Sequence, residues 1–213
     1  MNEGNVKEKN TDPVWEGLKR KIRFRLVNRE QNKEYLKSHV CREYLDLAAV
    51  FEVEAAGTEA GKAFLPVTET MASGWGVTPD DLWEAALDNL EDEGCIVVDI
   101  RYLIPGGMRM REEEIKMFVC MAQDGSGNVG AGAVLKKNLL KQFAGEHKEK
   151  VYILPSSVNE MILVPDDREG AEAALKEMVR QVNDGFRYEQ PEEWLSDSVY
   201  YYDREKDEIR IAA

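Results

Sequence analysis

The sequence predicts a single α+β domain in which helices cover a mixed, mostly antiparallel sheet. Short runs of β-compatible residues recur along the 213 residues, and segments between them have helical periodicity with capping residues. Apolar residues make up 43% of the chain, enough for a core, and no linker divides it. We assign residues 1–12 to a polar, disordered tail and residues 13–213 to the domain.

The first part of the domain is predicted to be a short helix followed by strands. Residues 13–21 have apolar side chains four positions apart, as a helix requires. Residues 22–26 alternate apolar and basic side chains, which places the arginines on one face of a strand. A marginal helix over 31–38 precedes a buried strand over 44–53, and this strand forms a hairpin with residues 62–68.

The clearest helix start is the run VTPDD at 77–81. Thr78 is suited to cap the free backbone amides, Pro79 has the φ angle of a first helical residue, and Asp81 completes a capping box. We predict a helix from there to about Glu91, ended by Gly94. Residues 95–112 give no clear pattern apart from a turn at PGG, 105–107.

The second half of the chain centres on a predicted hairpin. Only five residues connect the strands 151–154 and 160–164, too few for a parallel crossover, so these strands should be antiparallel. Both are apolar at nearly every position, so helices 131–145 and 169–183 should cover the two faces. The remaining predicted strands are 115–123, 199–203 and 208–211.

Charge is distributed unevenly along the chain, whose net charge is −13. Residues 19–42 hold nine basic residues against two acidic ones, a local charge of +7, which leaves −20 on the remainder. We expect this segment to pack against the acidic body and neutralise it. The alternative is nucleic-acid binding, which needs a continuous positive face. Its candidate residues are Lys19, Lys21, Arg23 and Arg25.

Several cofactor and metal motifs are present only in part. Residues 125–130 have the G-x-G-x-x-G spacing of a dinucleotide loop, but no acid follows the next strand to hold a ribose. The three cysteines have no C-x-x-C spacing, and the chain has only two histidines. We therefore predict no metal and no cofactor. No stretch approaches a membrane span and no secretory signal is visible, so the expected compartment is a reducing cytoplasm.

Polar residues beside the apolar strands supply the candidates for a binding site or an active site. They are Ser156, Ser157, Glu160, Ser196 and Asp197. Loops held on a rigid scaffold often carry function, but all five groups must converge in one cleft to make an enzyme. The alternative is that these side chains satisfy the backbone groups of turns.

Six runs of the sequence together resemble one protein family. They are RLVN at 25–28, YLDLAAVF at 44–51, WGVT at 75–78, LPSSVNEMIL at 154–163, MVRQVN at 178–183 and LSDSVY at 195–200. The family is one of uncharacterised bacterial proteins, a domain of unknown function common in gut Clostridia and their mobile elements. The resemblance spans about residues 15–204 and implies no known activity.

The resemblance also implies two differences from the relatives. They usually carry a further amino-terminal region, which this chain is expected to lack. They commonly have a histidine at the position of Asn159, where asparagine cannot shuttle a proton near neutral pH. Asn28, in the first of the six runs, joins the candidate binding residues.

We therefore expect a non-enzymatic cytoplasmic protein that binds another macromolecule, most simply a protein, as an accessory or regulatory factor of a mobile element. One alternative is an enzyme of undefined class with a site near Ser156, Glu160 and Asp197. The other is nucleic-acid binding through the basic segment 19–42. The sequence predicts no membrane association and leaves the oligomeric state open.

Overall fold

The computed structural model describes residues 12–55, 63–103, 115–123, 129–147 and 149–212. Its first sheet has four strands, with β3 paired antiparallel to each of the others. They are β1 (Ile22–Asn28), β2 (Cys41–Tyr44), β3 (Leu47–Glu54) and β4 (Phe64–Pro66). Helix α1 (Pro13–Leu18) and a 3-10 helix (Lys19–Lys21) precede this sheet, and α2 (Lys33–Leu36) lies between β1 and β2.

Strand β1 confirms the predicted alternation of apolar and basic side chains. Ile22, Phe24 and Leu26 are buried, while Arg23 and Arg25 lie between them on the other, half-buried face. Asp12, which we assigned to the tail, caps α1 by accepting the backbone N–H of Val14. The rest of the predicted tail, residues 1–11, lies outside the described residues.

The predicted strand over 44–53 is wrong at its start. The chain turns at Leu45, whose φ of 54° is left-handed, and at Asp46. The residues before and after this turn form the separate antiparallel strands β2 and β3. Tyr44 and Leu47 are the register partners nearest the turn. The turn escapes sequence analysis because a leucine takes its left-handed position, where glycine or asparagine is usual.

Two helices, α3 (Glu69–Trp75) and α4 (Pro79–Leu90), follow the first sheet. The predicted capping box is confirmed, because the Thr78 hydroxyl accepts the N–H of Asp81 and the Asp81 carboxylate accepts the N–H of Thr78. Helix α4 buries Leu82, Ala86 and Leu90 against the core. It ends at Leu90, four residues before Gly94.

The second sheet has six antiparallel strands in the order β10-β9-β7-β8-β6-β5. They are β5 (Cys95–Asp99), β6 (Phe118–Ala122), β7 (Val151–Ser157), β8 (Glu160–Pro165), β9 (Tyr200–Asp203) and β10 (Glu208–Ile211). A 3-10 helix (Ile100–Tyr102) follows β5. The predicted α+β class with a mostly antiparallel arrangement is therefore confirmed, with the strands divided between two sheets.

The central hairpin of β7 and β8 is antiparallel, as predicted. Ile153 and Leu163 are register partners and both are fully buried in the main core. The opposite face carries Leu154 and the half-buried Ile162, which pack in a second core cluster with residues of α6 (Ala171–Glu189). Both faces of the hairpin are therefore covered.

The predicted helix over 131–145 is wrong as a single element. The chain forms a 3-10 helix (Gly130–Leu135) and then α5 (Leu139–His147). Glycine is needed in the first piece, because a Cβ on Gly132 would lie 2.8 Å from the Phe24 ring. A Cβ on Gly130, which has a φ of +56°, would lie 2.4 Å from the carbonyl oxygen of Val158. Residues 125–128 of the G-x-G-x-x-G run lie outside the described residues, whereas Val129 and Gly130 are described.

One main core joins the two sheets. Phe51 of β3, Leu82 of α4 and Ile153 of β7 are all buried in it. The predicted turn at 105–107 lies outside the described residues. Within the described ranges, the structure contains no helix that is both long and apolar enough to cross a membrane.

Candidate functional site

The turn between β2 and β3 meets the segment that leads into β9 through one carboxylate. Asp46 Oδ2 accepts hydrogen bonds from the hydroxyls of Ser196, at 2.6 Å, and Ser198, at 2.8 Å. Asp46 Oδ1 accepts the hydroxyl of Tyr200 at 2.5 Å. We call these four residues the seam. Tyr200 is 1% exposed, and burial together with the Asp46 charge raises its pKa.

Three of the predicted binding residues lie at or beside the seam. The Asn28 side-chain amide donates to the carbonyl oxygen of Leu195 at 2.9 Å. The Asn183 amide of α6 donates to the carbonyl oxygen of Ser196 and to the carboxylate of Asp197, each at 2.8 Å. Asp197 also pairs with Arg187. These side chains hold β1, α6 and the entry to β9 together.

The other predicted polar residues belong to the tip of the β7–β8 hairpin. The Ser156 hydroxyl donates to Glu160 at 3.2 Å, and the Ser157 hydroxyl accepts the backbone N–H of Asn159 at 3.1 Å. Across the described ranges, no hydrogen bond joins this pair of serines to Ser196 or Asp197. The five candidates thus form two separate groups, each of which satisfies local polar atoms.

The three thiols are free in this structure. Burial raises the pKa of Cys120 to about 12, and burial also raises the pKa of Cys41 and of Cys95. A thiol with a raised pKa carries little of the reactive thiolate at neutral pH. A search of the described residues finds no group of three or more side chains that could hold a metal ion.

An open cleft of about 1510 Å³ lies between α4 and the start of β1. Its apolar floor includes Trp15, Phe24, Ala85 and Ala86. Seven carboxylates and four cations line it, so its rim is negative overall. The side-chain amide of Asn89 closes one end by donating to the carbonyl oxygens of Lys19, at 2.8 Å, and Ile22, at 2.6 Å.

One wall of this cleft is an acidic stripe that follows α4 and the turn after it. It consists of Glu84 and Asp88, which lie four residues apart on one side of the helix, and of Asp92, in the turn that follows the last helical residue, Leu90. All three are exposed, and none forms an ion pair with any residue that the structure describes. Sequence reasoning missed this stripe, although the four-residue spacing of Glu84 and Asp88 within the predicted helix was a usable signal.

Three of the four basic candidates, Lys19, Lys21 and Arg23, lie along the opposite wall, and Arg25 does not line the cleft. Lys19 pairs with Glu16 at 2.5 Å, and Arg23 pairs with Glu52 at 2.6 Å. The Arg23 guanidinium also lies 3.1 Å from the centre of the Phe64 ring. Lys21 is exposed and Arg25 is half-buried, and neither forms an ion pair with the described part of the chain.

Half of the six ion pairs that the described residues of the basic segment form are local, counting the pair of Lys19 with Glu16. Lys33 pairs with Glu30 and Lys37 with Glu34, each three residues away. Lys19, Arg23, Arg29 and Arg42 pair with acidic residues outside the segment, on α1, on β3, on β2 and at the start of α4. Among the described residues, the expected neutralisation by the acidic body is therefore limited to these four cations.

A family model matches residues 3–204, and its description is a family of unknown function (DUF5688). No match was found among the curated proteins or among the solved structures. The predicted resemblance to a family of unknown function is thus confirmed over almost the whole chain. The expected bacterial origin and association with mobile elements stay predictions.

Proposed function

Because the chain belongs to the DUF5688 family, whose function is unknown, we propose a function from its own residues: it binds a basic segment of a partner protein in the cleft beside α4. It acts as a non-enzymatic accessory or regulatory factor. The observation that carries this proposal is the acidic stripe of α4. Its three carboxylates line the cleft next to its apolar floor, and none of them forms an ion pair with a described residue.

Charge complementarity supports a cationic occupant. Glu84, Asp88 and Asp92 lie on one wall, so lysine or arginine side chains of a bound segment would find three carboxylates in a row. Ion pairs at an exposed rim contribute mainly to association rate and specificity. The half-buried apolar side chains that line the cleft, Phe64 and Ala85, would supply affinity by packing against apolar side chains of the same segment.

Nucleic acid is the less favoured partner. A polyphosphate approaching Lys21 would also approach the acidic stripe of α4, which faces the same cleft. Two of the four proposed contacts, Lys19 and Arg23, are already neutralised by Glu16 and Glu52. The charge distribution therefore supports a protein partner over a nucleic acid.

An active site at the seam is also less favoured. The three hydroxyls of the seam all donate to Asp46, and the side chains of Ser196 and Tyr200 are buried. Such hydroxyls are hydrogen-bonded in a way typical of structural polar networks. A cytoplasmic location stays part of the proposal, supported by the three unpaired cysteines.

The test is selection of binding peptides from a random library displayed on phage, with the full chain as bait. We expect the selected peptides to be rich in lysine and arginine. Asp88→Lys should weaken their binding about tenfold or more, since it reverses one charge in the middle of the stripe. Glu205→Lys, on the exposed β9–β10 turn, is the matched control and should leave affinity unchanged. Selection of acidic peptides, or equal binding to Asp88→Lys, would contradict the proposal.

A further inference from the structure

The second sheet ends on one side in an apolar strand with an open edge. Strand β5 pairs with β6, and no described strand pairs with the other side of β5. We propose that this edge binds β5 of a second copy of the chain, antiparallel and about a two-fold axis at Val97. The resulting homodimer joins two sheets into one, and it does not depend on the proposed function of the cleft.

The hydrogen bonds of β5 show which backbone groups face the open edge. The carbonyl oxygen of Gly94 accepts the N–H of Gln123, beside β6, at 2.7 Å. Bonded and non-bonded pairs alternate along antiparallel strands, so the backbone groups of Cys95 and Val97 point away from β6. Among the described residues, none forms a hydrogen bond with these groups. They are therefore available to a further strand.

The two edges of this sheet differ in their protection against pairing. Edge strands are commonly protected by charged side chains, proline or a bulge. The opposite edge, β10, has Glu208 and Arg210 among its four residues. Strand β5 has apolar residues at 95–98, and it pairs with β6 without a bulge. Of the two edges, β5 is the one suited to pairing with another chain.

Two apolar side chains of β5 are left without a place in a core. Ile96 and Val98 are half-buried, and they pack in neither core cluster of the described residues. In a two-fold pair centred on Val97, Ile96 lies opposite Val98 of the second copy, at a non-hydrogen-bonded position where side chains are closest. Pairing therefore covers both side chains in both copies.

The charges at the ends of β5 complement each other across the two-fold axis. Asp99 accepts a hydrogen bond from the Arg101 guanidinium at 2.9 Å, so its charge is neutralised within its own chain. Glu93 and Arg101 lie four residues from Val97 in opposite directions, which places Glu93 of one copy near Arg101 of the other. Glu93 is exposed and forms no ion pair with a described residue. Opposite charges at this rim favour the antiparallel pairing.

Sedimentation velocity of the full chain at increasing concentration tests the proposal, and we expect a species with twice the mass of one chain. Val97→Pro removes an N–H that faces the second copy but no hydrogen bond to β6, so it should weaken the dimer about tenfold or more and leave the circular dichroism unchanged. Ile211→Pro is the matched control, because Ile211 faces the open edge of β10, and it should leave the dimer unchanged.

A disulfide cross-link tests the register without relying on the folding of Val97→Pro. In the variant Ile96→Cys/Val98→Cys, each introduced thiol lies opposite one of the second copy, at the close spacing that a disulfide needs. Oxidation should give a covalent dimer on a non-reducing gel, whereas Ile209→Cys/Ile211→Cys on β10 should give a single chain. A chain that is monomeric at all concentrations, a dimer that Val97→Pro leaves unchanged, or the absence of the cross-link would overturn the proposal.

Discussion

Replacing Asp46 by alanine tests whether the seam holds the two sheets together. The carboxylate accepts hydroxyl hydrogens from Ser196, Ser198 and Tyr200, and its removal leaves all three without this acceptor. Ser196 is 3% exposed and Tyr200 is 1% exposed, so water cannot easily replace the lost acceptor at either. The change therefore affects two buried donors and one half-buried donor.

The expected loss follows from these three bonds. A hydrogen bond to a charged group stabilises a protein by about 1.5–3 kcal/mol, and an unsatisfied buried donor costs about 1–3 kcal/mol. With two fully buried donors affected, we expect Asp46→Ala to lower the free energy of unfolding by about 3–5 kcal/mol. That is a large part of the roughly 5–15 kcal/mol that stabilises an ordinary domain.

Urea unfolding followed by tryptophan fluorescence measures this loss. Asp92→Ala is the control, because that exposed carboxylate forms no ion pair with the described residues, and its effect should stay within about 0.5 kcal/mol. Tyr200→Phe alone should cost about 1–2 kcal/mol. The double variant should be less destabilised than the two singles added, since both remove the same bond.

Two results would refute the role of the seam. One is a loss of less than about 1 kcal/mol for Asp46→Ala, which is no more than an average substitution costs. The other is full additivity of Asp46→Ala and Tyr200→Phe, because residues that do not interact add independently. Either result would mean that the two sheets are held by apolar packing alone.

Four further results are expected. Burial raises the pKa of Tyr44 to about 12 and also raises the pKa of Tyr200, whereas an unfolded tyrosine ionises near 10.0. The free energy of unfolding in urea should therefore be constant up to about pH 9 and should fall as the pH rises from 10 towards 12. Tyr200→Phe should make this fall smaller. Gly130→Ala should lower stability by about 2–3 kcal/mol, because the left-handed φ and the carbonyl of Val158 both oppose a Cβ, while Gly145→Ala, with nothing within 4 Å, should be neutral or stabilising. Ile162→Asp places a carboxylate at a half-buried position of the second core cluster and should cost about 2–3 kcal/mol; a melting temperature equal to that of the wild type would show that Ile162 does not pack there. In a gel-shift assay at low ionic strength, the protein should not retard a DNA or RNA duplex, and a salt-sensitive shift would instead support the nucleic-acid alternative.

Local signals explain which elements were predictable. The start of α4 depends on Thr78, Pro79 and Asp81, three residues within four positions, and its capping box was predicted correctly. The alternation in β1 is equally local and was also correct. The turn at Leu45 and Asp46 was missed because its stabilising partners, Ser196 to Tyr200, lie about 150 residues away. No window of sequence contains that information.

The candidate site was predictable only in part, for a similar reason. The basic segment 19–42 is visible in the composition, and the acidic stripe of α4 is visible in its spacing. Their arrangement as opposite walls of one cleft depends on how α4 packs against β1, fixed partly by Asn89. Gly130 was noted only as the last glycine of an incomplete G-x-G-x-x-G motif, and its positive φ and its approach to Val158 show that packing requires a glycine there.

The long sequence distances across the seam have a consequence for the order in which the protein can fold during synthesis. The strands of the first sheet lie within residues 22–66, so they can pair early. The hydroxyl groups that donate to Asp46 are synthesised 150 to 154 residues later. The carbonyl of Leu195, which accepts from Asn28, is synthesised 167 residues after Asn28. At about 5–20 residues per second, this delay lasts roughly 8–33 s. During that time, the first sheet has an unpaired carboxylate at its turn and an incomplete core, which makes it the stage at which a nascent chain most needs protection from aggregation.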